Sequence, residues 1–497
     1  MQIFPFRRAD AAVERAETEE EASEREKGYR NTIAAAVWYR KFARGALSTD
    51  IRGRKDGSSP ILTGRLLKSN LRLPKISPGS HEILAGYGHT GVANCNFEPN
   101  SRIGTGSICH ETARKPVSIL ALPSLPCKIL RQARMFTMIT TDILDQLQHR
   151  AAKWAFTTRR VNHADVTGLS TAFADAVAGD LLVGRIAGIG QHKNIQLASG
   201  RGSENYIDDL VVMCVGDRYA SDQFEGHAII DADGCDMIAG GGIVGRMVRA
   251  HETMNKPTRI SPIGLLTNAA DEVINIAAYG LPCRAMPRNI DILAVFGTSM
   301  NAGKTTAAAS LAHGLRRAGY AVAGIKTTGT GAFGDFNAFG DAGVPVTDFV
   351  DAGMPTTYRM PLNRITRGFH TLVAHAAEAG AKIMVVEFAD GVFQSEVRAL
   401  LADPDVHNHF AGILFAAGDS AGAVGGVSVL RAMGFEPFAL SGLITRAPLA
   451  AAEASEALSV PVLARNQLRD PQQIIPLLRP MLGLPSRSGH TVPIAAE

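Results

Sequence analysis

Short apolar runs alternate with longer segments of helical spacing in the last two-fifths of the chain. Apolar runs of this length, bounded by Gly, Pro and Asp, predict buried β-strands, and apolar residues at three- and four-residue intervals predict helices between them. Strands that alternate with helices form a parallel, doubly wound α/β sheet, which binds ligands at the carboxyl ends of its strands. The predicted strands are 291–296, 320–326, 382–386, 411–415, 439–444 and 460–463, with a short apolar piece at 345–350.

A different pattern precedes this domain. Apolar spacing at 142–156 and 165–178 predicts two short helices. From residue 179 the apolar residues alternate with polar ones in short runs separated by Gly, Asn and Asp, which is typical of β-strands joined by tight turns. We therefore predict short helices plus a small β-rich domain over 139–285, a curved barrel or a sandwich, followed by a linker into an α/β domain over 289–482.

The two ends of the chain lack such periodicity. Gly, Ser, Pro and Arg recur through residues 1–134 without a strand or helix of convincing length. Such a segment buries too little apolar surface to offset the entropy of ordering it. We expect a disordered arm or a non-native upstream extension, with the native start near Met135 or Met138. Residues 485–497 are predicted to be a flexible tail.

Composition and cysteine spacing exclude several function classes. Of the 497 residues, 46% are hydrophobic and 20% are charged, as in globular proteins. No run approaches 18 apolar residues, and residues 1–30 lack the apolar core of a secretory signal, so we predict a cytoplasmic protein without a membrane partner. The six cysteines form no CxxC pair, which indicates reduced thiols and argues against a zinc or iron–sulfur centre.

The net charge of +4 is unevenly distributed. Lysine and arginine outnumber the acidic residues in 1–134, whereas the rest of the chain is mildly acidic. A basic segment can bind nucleic acid, but this one lacks interleaved aromatic residues and a zinc-finger pattern. We therefore predict no clear nucleic-acid partner.

A glycine-rich loop, residues 297–306, joins the first strand of the α/β domain to a helix. It contains Gly297, five further residues, and then Gly303-Lys304-Thr305-Thr306, where the common phosphate-binding pattern has four residues between the glycines. Backbone N–H groups and the positive end of the helix would face one anion. Lys304 would place its ammonium group on the outer phosphates, and the Thr305 hydroxyl would bind Mg²⁺. An ordinary βα turn with a surface lysine would need all these features to coincide by accident.

Two segments of the β-rich region could also bind a ligand. Residues 217–224 could gather Arg218, Tyr219 and Asp222 around a small polar molecule, and the glycines of 239–246 could form an anion-binding turn. A polar barrel loop and a glycine-rich bend explain the same residues, and we favour that simpler interpretation.

The α/β domain resembles the P-loop family that contains dethiobiotin synthetase, cobyrinic acid a,c-diamide synthase and the molybdopterin-guanine dinucleotide biosynthesis adaptor. The longer glycine spacing in GTSMNAGKTT is similar to the loop of that family. The second strand ends in AGIKTTGTG, with Lys326 as the family's lysine, and the third ends in VVEFADG, with Glu387 as its acidic residue. The partitioning and arsenite-pump relatives carry an extra lysine early in the loop, where this chain has Thr298 and Ser299. That difference disfavours filament, partitioning and pump functions.

The resemblance implies phosphoryl transfer from ATP, or from GTP, to an oxygen of a small-molecule carboxylate or carbamate, as in a biosynthetic kinase or an amide- or ring-forming ligase. Lys326 would stabilise charge on the transferred group or hold the acceptor. A lysine lying along the sheet edge and an acidic cap are the less favoured alternatives for Lys326 and Glu387. The predicted catalytic residues are Lys304, Lys326 and Glu387. The predicted nucleotide-binding residues are Gly297, Thr298, Asn301, Ala302, Gly303, Lys304, Thr305 and Thr306. The predicted Mg²⁺ ligands are Thr305, Glu387 and Asp348, with Asp335 and Asp341 as alternatives to Asp348.

Two other functions fit the same residues. A nucleotide-binding adaptor or chaperone with slow NTPase activity would serve cofactor biosynthesis, and a catalytic β-rich domain could be regulated by the nucleotide. No base-recognition motif such as NKxD distinguishes ATP from GTP. A homodimer is expected because relatives of this class commonly pair.

Overall fold

A computed structural model describes residues 138, 140–147 and 152–482. All of them belong to one compact unit, Met138–Glu497. The expectations for 1–134 and 485–497 lie outside the described residues. Within the described residues, no helix combines the length and apolarity needed to cross a bilayer.

The first ten strands form a small barrel and a separate hairpin. Each strand of the series β6, β3, β10, β8 and β9 pairs with the next, and a parallel pairing between β9 and β6 closes the ring. The β-rich domain predicted from period-two alternation is thereby confirmed. The strands are β1 (Lys153–Trp154), β2 (Gly168–Ser170), β3 (Leu181–Gly188), β4 (Asn194–Gln196), β5 (Gly202–Glu204), β6 (Leu210–Val215), β7 (Phe224–His227), β8 (Cys235–Ala239), β9 (Ile243–Ala250) and β10 (Thr258–Thr267).

Alternation along the strands gives the barrel two apolar surfaces. Leu182 and Met213 lie opposite each other on β3 and β6 and pack inside the barrel. Their neighbours Leu181 and Cys214 belong instead to a cluster that the barrel shares with the α/β domain. Because successive side chains point to opposite faces, each strand serves both surfaces. This explains why β6 is buried along its full length.

The two helices predicted before the barrel are only partly present. Residues 140–147 are helical, but Lys153 and Trp154 form β1 beside β6 instead of continuing the helix. The predicted helix 165–178 is wrong: its first half contains β2, which pairs with β10, and short 3₁₀ turns flank that strand. Pairing with β10 satisfies the β2 backbone, and such tertiary pairing overrides a weak helical propensity.

The C-terminal domain is a six-stranded parallel sheet in the order β13-β12-β14-β11-β15-β16. The fold class predicted from strand–helix alternation is confirmed. The predicted strand 460–463 is wrong, since it contributes only a bridge between Leu440 and Val462. The strands are β11 (Asp291–Gly297), β12 (Val322–Lys326), β13 (Val346–Asp348), β14 (Ile383–Glu387), β15 (Phe410–Ala416) and β16 (Ala439–Ser441).

Helices cover both faces of this sheet. Leu293 of β11 packs with Leu311 of the first helix on one face, and Phe296 packs with Phe369 and Val427 on the other. The helices are α1 (Lys304–Arg317), α2 (Phe333–Asp341), α3 (Leu362–Glu378), α4 (Ser395–Ala402), α5 (Pro404–His407), α6 (Ser420–Ala432), α7 (Pro448–Leu458), α8 (Arg465–Leu468) and α9 (Pro471–Leu478).

Polar contacts hold the barrel against the carboxyl end of the parallel sheet. The Arg159 guanidinium, from the segment before β2, lies 2.6 Å from Asp348 and 2.9 Å from Asp351. The Phe333 amide at the start of α2 donates a hydrogen bond to the Gln196 side chain of the β4–β5 hairpin at 2.7 Å. These contacts place barrel residues beside the edge where a parallel sheet binds its ligands.

Candidate functional site

The glycine-rich loop turns from β11 into α1 at two constrained positions. Gly303 precedes the helix with a φ of 95°, a left-handed conformation that favours glycine. A Cβ at Gly297 would lie 2.8 Å from both the Ala416 carbonyl oxygen and Lys304 Cγ. Glycine at this position therefore lets the Lys304 side chain run alongside the end of the strand.

Lys304 is the first residue of α1 and is only 5% exposed. Its ammonium group donates a hydrogen bond to the Ser299 carbonyl oxygen at 2.7 Å, within the glycine-rich loop. Burial lowers the pKa of Lys304, while the nearby Glu387 and Asp390 carboxylates oppose that change. A cation therefore lies in the concave side of the loop, at the positive end of a 14-residue helix.

Three oxygen-bearing side chains meet beside this cation. The Thr305 hydroxyl lies 2.8 Å from a Glu387 carboxylate oxygen and 3.0 Å from an Asp335 carboxylate oxygen. The second Glu387 oxygen, Oε2, is buried and has no hydrogen-bond partner within the described part of the chain. An orphaned buried carboxylate oxygen needs a partner, and a hydroxyl with two carboxylates suits a hard cation such as Mg²⁺.

The structure places Asp348, the predicted third ligand, away from Thr305 and Glu387. Asp348 lies at the end of β13, where its carboxylate pairs with Arg159 and accepts hydrogen bonds from two backbone amides of the following turn. It is absent from the lining of the cleft that holds Thr305. Asp341 lines a different pocket, behind α1. Asp335 lies on α2, nine residues after Lys326 in the chain. It is the aspartate whose carboxylate contacts the Thr305 hydroxyl.

Lys326 is at the carboxyl end of β12, in register with Glu387 on the adjacent strand. It is 8% exposed and forms an ion pair with Asp335. Lys326 and Glu387 at two strand ends and Lys304 at the start of α1 therefore lie at the carboxyl end of the sheet, where parallel sheets bind ligands.

These groups line one cleft of 580 Å³ between the parallel sheet and the barrel. Most of the predicted nucleotide-binding residues line it, namely Asn301, Gly303, Lys304, Thr305 and Thr306. Gly297, Thr298 and Ala302 support the loop from behind: the Thr298 amide donates to Ala416, and the Ala302 carbonyl accepts from Leu443.

The opposite wall of the cleft comes from the barrel, which the sequence interpretation did not place there. It consists of His192, Gln196, Arg218, Tyr219, Ala220, Gln223, Ala239, Gly240 and Gly241. Both segments that we had favoured as ordinary loops, 217–224 and 239–246, contribute to it. The side chain of Asn301 in the glycine-rich loop also donates a hydrogen bond to Asp222 of the barrel. The cluster of Arg, Tyr and Asp and the run of glycines were the signals available in the sequence.

Asp390 is a further residue of the cleft that sequence reasoning did not assign. It follows β14 with a φ of 70°, a left-handed conformation that aspartate adopts more readily than most residues other than glycine. Burial raises the pKa of Asp390 to about 6, although Lys304, Lys326 and Arg218 all act in the opposite direction. A carboxylate that titrates near neutrality therefore lies among the three cations of the cleft.

Within the described residues, no cluster of three or more His, Cys, Asp or Glu side chains is arranged to hold a metal by itself. Mg²⁺ usually keeps several waters and is bound by one or two carboxylates together with substrate phosphates. The group of Thr305, Glu387 and Asp335 has that smaller donor set.

Comparisons with known proteins identify no family. No family model matches the chain, and no curated protein matches it. Among solved structures, the signal recognition particle receptor FtsY from Elizabethkingia anophelis is similar, with 16% identity and a TM-score of 0.27, over 39% of this chain and 68% of that one. The signal recognition particle 54 kDa protein from Aeropyrum pernix K1, in complex with GDP, has 17% identity and a TM-score of 0.28, over 39% of this chain and 47% of that one. Likeness at these scores assigns no function, and the resemblance to the dethiobiotin synthetase family stays a prediction.

Proposed function

We propose that the chain binds a nucleoside triphosphate with Mg²⁺ in the glycine-rich loop and transfers the γ-phosphoryl group to a small-molecule carboxylate or carbamate. One observation carries this proposal: the Lys304 ammonium, the Thr305 hydroxyl and the orphaned Glu387 oxygen converge where the loop enters α1. Each of these groups suits one part of a Mg²⁺–triphosphate.

The loop supplies the phosphate end of the site. Backbone N–H groups at the start of α1 and the helix dipole attract an anion there. Lys304, held against the loop, would contact the β- and γ-phosphates by exchanging its hydrogen bond to Ser299 for phosphate oxygens. Since Lys304 is already buried and positioned, little reorganisation is needed when the substrate binds.

Thr305, Glu387 and Asp335 would hold Mg²⁺. The ion would neutralise charge on the phosphate oxygens and so make the γ-phosphorus easier to attack. Because the Glu387 carboxylate is 2% exposed and one of its oxygens lacks a partner in the described chain, a bound cation would also satisfy a buried charge.

Lys326 and the barrel wall supply the acceptor end. An acceptor carboxylate oxygen would attack the γ-phosphorus in line with the bond to the β-phosphate; the new O–P bond forms as that bond breaks, and a nucleoside diphosphate leaves. Lys326 would stabilise negative charge on the group in transit. The cleft between two walls would hold the two reactants close and exclude part of the solvent.

Thermal unfolding with Mg²⁺ and ATP or GTP tests the nucleotide site. Wild type should be stabilised by one of the nucleotides, and Lys304→Ala should lose that stabilisation while keeping its fold. Lys382→Ala is a matched control because Lys382 is exposed and lies just before β14, at the amino end of the strand and away from the cleft. Equal stabilisation of wild type and Lys304→Ala would refute the assignment.

Product analysis then tests the reaction class. With a suitable acceptor, nucleoside diphosphate should form in strict proportion to the modified small molecule. Slow hydrolysis without an acceptor, accelerated by a protein partner, would instead identify the adaptor or chaperone function.

A further inference from the structure

Arg218, in the barrel loop between β6 and β7, is a buried cation with an unused hydrogen-bond donor. Arg218 is 6% exposed and lines the cleft. One terminal nitrogen donates to the Ile238 carbonyl oxygen, and the other donates to the Gln223 side chain at 2.8 Å. Its Nε is buried and has no hydrogen-bond partner among the described residues.

The ion pairs of the described chain do not include Arg218. Burial lowers the pKa of Arg218 to about 10, so the guanidinium is still charged at neutral pH. A buried charge with an unused N–H is costly unless an anion binds it. The two neutral hydrogen bonds orient the guanidinium, and the carboxylates that act on its charge, Asp222 and Asp390, lie beyond ion-pair distance.

The other groups of the wall around Arg218 carry no charge. Gly240 and Gly241 line the same wall, and Gly241 packs closely on the Gly331 carbonyl oxygen of the α/β domain. His192 also lines the wall; burial, helped by Arg218, lowers the pKa of His192 to about 4, so its ring is neutral at neutral pH. Arg218 is therefore the charged group that this barrel wall presents to a ligand.

Arg218 and Lys304 belong to opposite walls of the cleft, the barrel wall and the glycine-rich loop. The Asp390 carboxylate acts on both cations. With the triphosphate on the loop, the barrel wall and Arg218 are left for the acceptor.

We propose that Arg218 binds a carboxylate of the acceptor, remote from the oxygen that is phosphorylated, and that the barrel is the acceptor-recognition part of the protein. This inference rests on the proposed function. A planar guanidinium with a free Nε–H suits a carboxylate, and the acceptor then carries two acidic groups: one reacts near Lys326 and one anchors at Arg218.

Binding of defined probes tests this assignment in the full chain, saturated with Mg²⁺ and a non-hydrolysable ATP analogue. The probes are the straight-chain dicarboxylates from malonate to adipate, their monoamides, and inorganic phosphate, each titrated calorimetrically. Wild type should bind at least one dicarboxylate, and Arg218→Met should weaken that binding by about tenfold or more because a charge-assisted hydrogen bond is lost. Arg218→Lys should fall between the two.

Two controls distinguish recognition from folding. Arg249→Met removes an arginine of the same barrel whose side chain is 81% exposed, and its dicarboxylate affinity should equal that of wild type. Stabilisation by the nucleotide analogue should be unchanged in Arg218→Met and Arg218→Lys, which also shows that both variants fold.

Four results would overturn the inference. The first is equal dicarboxylate affinity in wild type and Arg218→Met, and the second is nucleotide binding by wild type without binding of any dicarboxylate. The third is tighter binding of phosphate than of every dicarboxylate. The fourth is loss of acceptor-independent hydrolysis in Arg218→Met while its dicarboxylate affinity is intact. The last result would make Arg218 a γ-phosphate ligand. If wild type binds no nucleotide, the proposed function itself fails and this inference fails with it.

Discussion

Replacing Asp390 by asparagine should stabilise the nucleotide-free protein, and more so at higher pH. Burial raises the pKa of this carboxyl from 3.8 to about 6 in the folded protein. Folding therefore favours the protonated carboxyl of Asp390. The contribution of this group to the free energy of unfolding is fully present below pH 3.8 and is lost as the pH rises through 6. Asparagine has nearly the same shape, carries no charge and tolerates the left-handed φ of 70°.

The size of the effect follows from the two pKa values. A difference of about two units corresponds to at most about 3 kcal/mol at pH 7.5, at about 1.4 kcal/mol per unit. At pH 5 the same relation gives a destabilisation by the ionised carboxylate of about 1.6 kcal/mol. The free energy of unfolding of Asp390→Asn relative to wild type should therefore increase by about 1.4 kcal/mol from pH 5 to pH 7.5. The pKa of about 6 already includes the attraction of Lys304, Lys326 and Arg218 for the ionised carboxylate, which offsets part of the cost of burial.

Urea unfolding at pH 5 and pH 7.5, followed by circular dichroism, measures the difference. Asp208→Asn is the matched control because Asp208 has a φ of 68° and is exposed, so the same chemical change occurs without burial. Because Asp208 is exposed, Asp208→Asn should change stability less than Asp390→Asn does. An advantage of Asp390→Asn that is equal at both pH values, or a loss of stability at both, would refute the reasoning.

Three further substitutions probe the metal site and the contact between barrel and sheet. Asp335→Asn should raise the Mg²⁺ concentration needed for nucleotide stabilisation by about tenfold, and Asp348→Asn should not; the reverse order would restore Asp348 as the ligand. Arg159→Met leaves the buried Asp348 carboxylate unpaired, so it should lower the free energy of unfolding by about 3 kcal/mol at neutral pH and by less in acid, where the carboxyl can protonate. Gly241→Ala should cost about 1–3 kcal/mol because its Cβ would meet a main-chain oxygen of the α/β domain. Thermal unfolding measures this cost, with Gly334→Ala as the control because a Cβ at Gly334 meets nothing within 4 Å. Equal effects of the two substitutions would refute the predicted steric overlap at Gly241.

Local sequence was sufficient where one segment supplies its own structure. The strand β11, the glycine-rich loop and α1 are contiguous, and each is specified by apolar runs, glycines and helical spacing within a few residues. Lys326 and Glu387 could also be placed, because the ends of parallel strands share one edge of the sheet.

Sequence alone could not choose between Asp335 and Asp348. Both follow the second strand of the domain within a short distance, and both are aspartates near predicted turns. The choice depends on Arg159, which lies 189 residues before Asp348 and occupies its carboxylate in the folded chain. The predicted helix at 165–178 failed for a similar reason, since β2 is a strand only because β10 lies beside it.

The sequence by itself determined the parallel α/β domain, its glycine-rich loop and the alternation that builds the barrel, because those signals are periodic and local. Only the tertiary structure decided that Arg218 and the glycines of the barrel face Lys304 and Lys326 across one cleft. Side chains that meet across a cleft come from segments far apart in the chain, so no spacing rule connects them. Their juxtaposition follows from how the two apolar surfaces pack, and packing is a property of the whole fold.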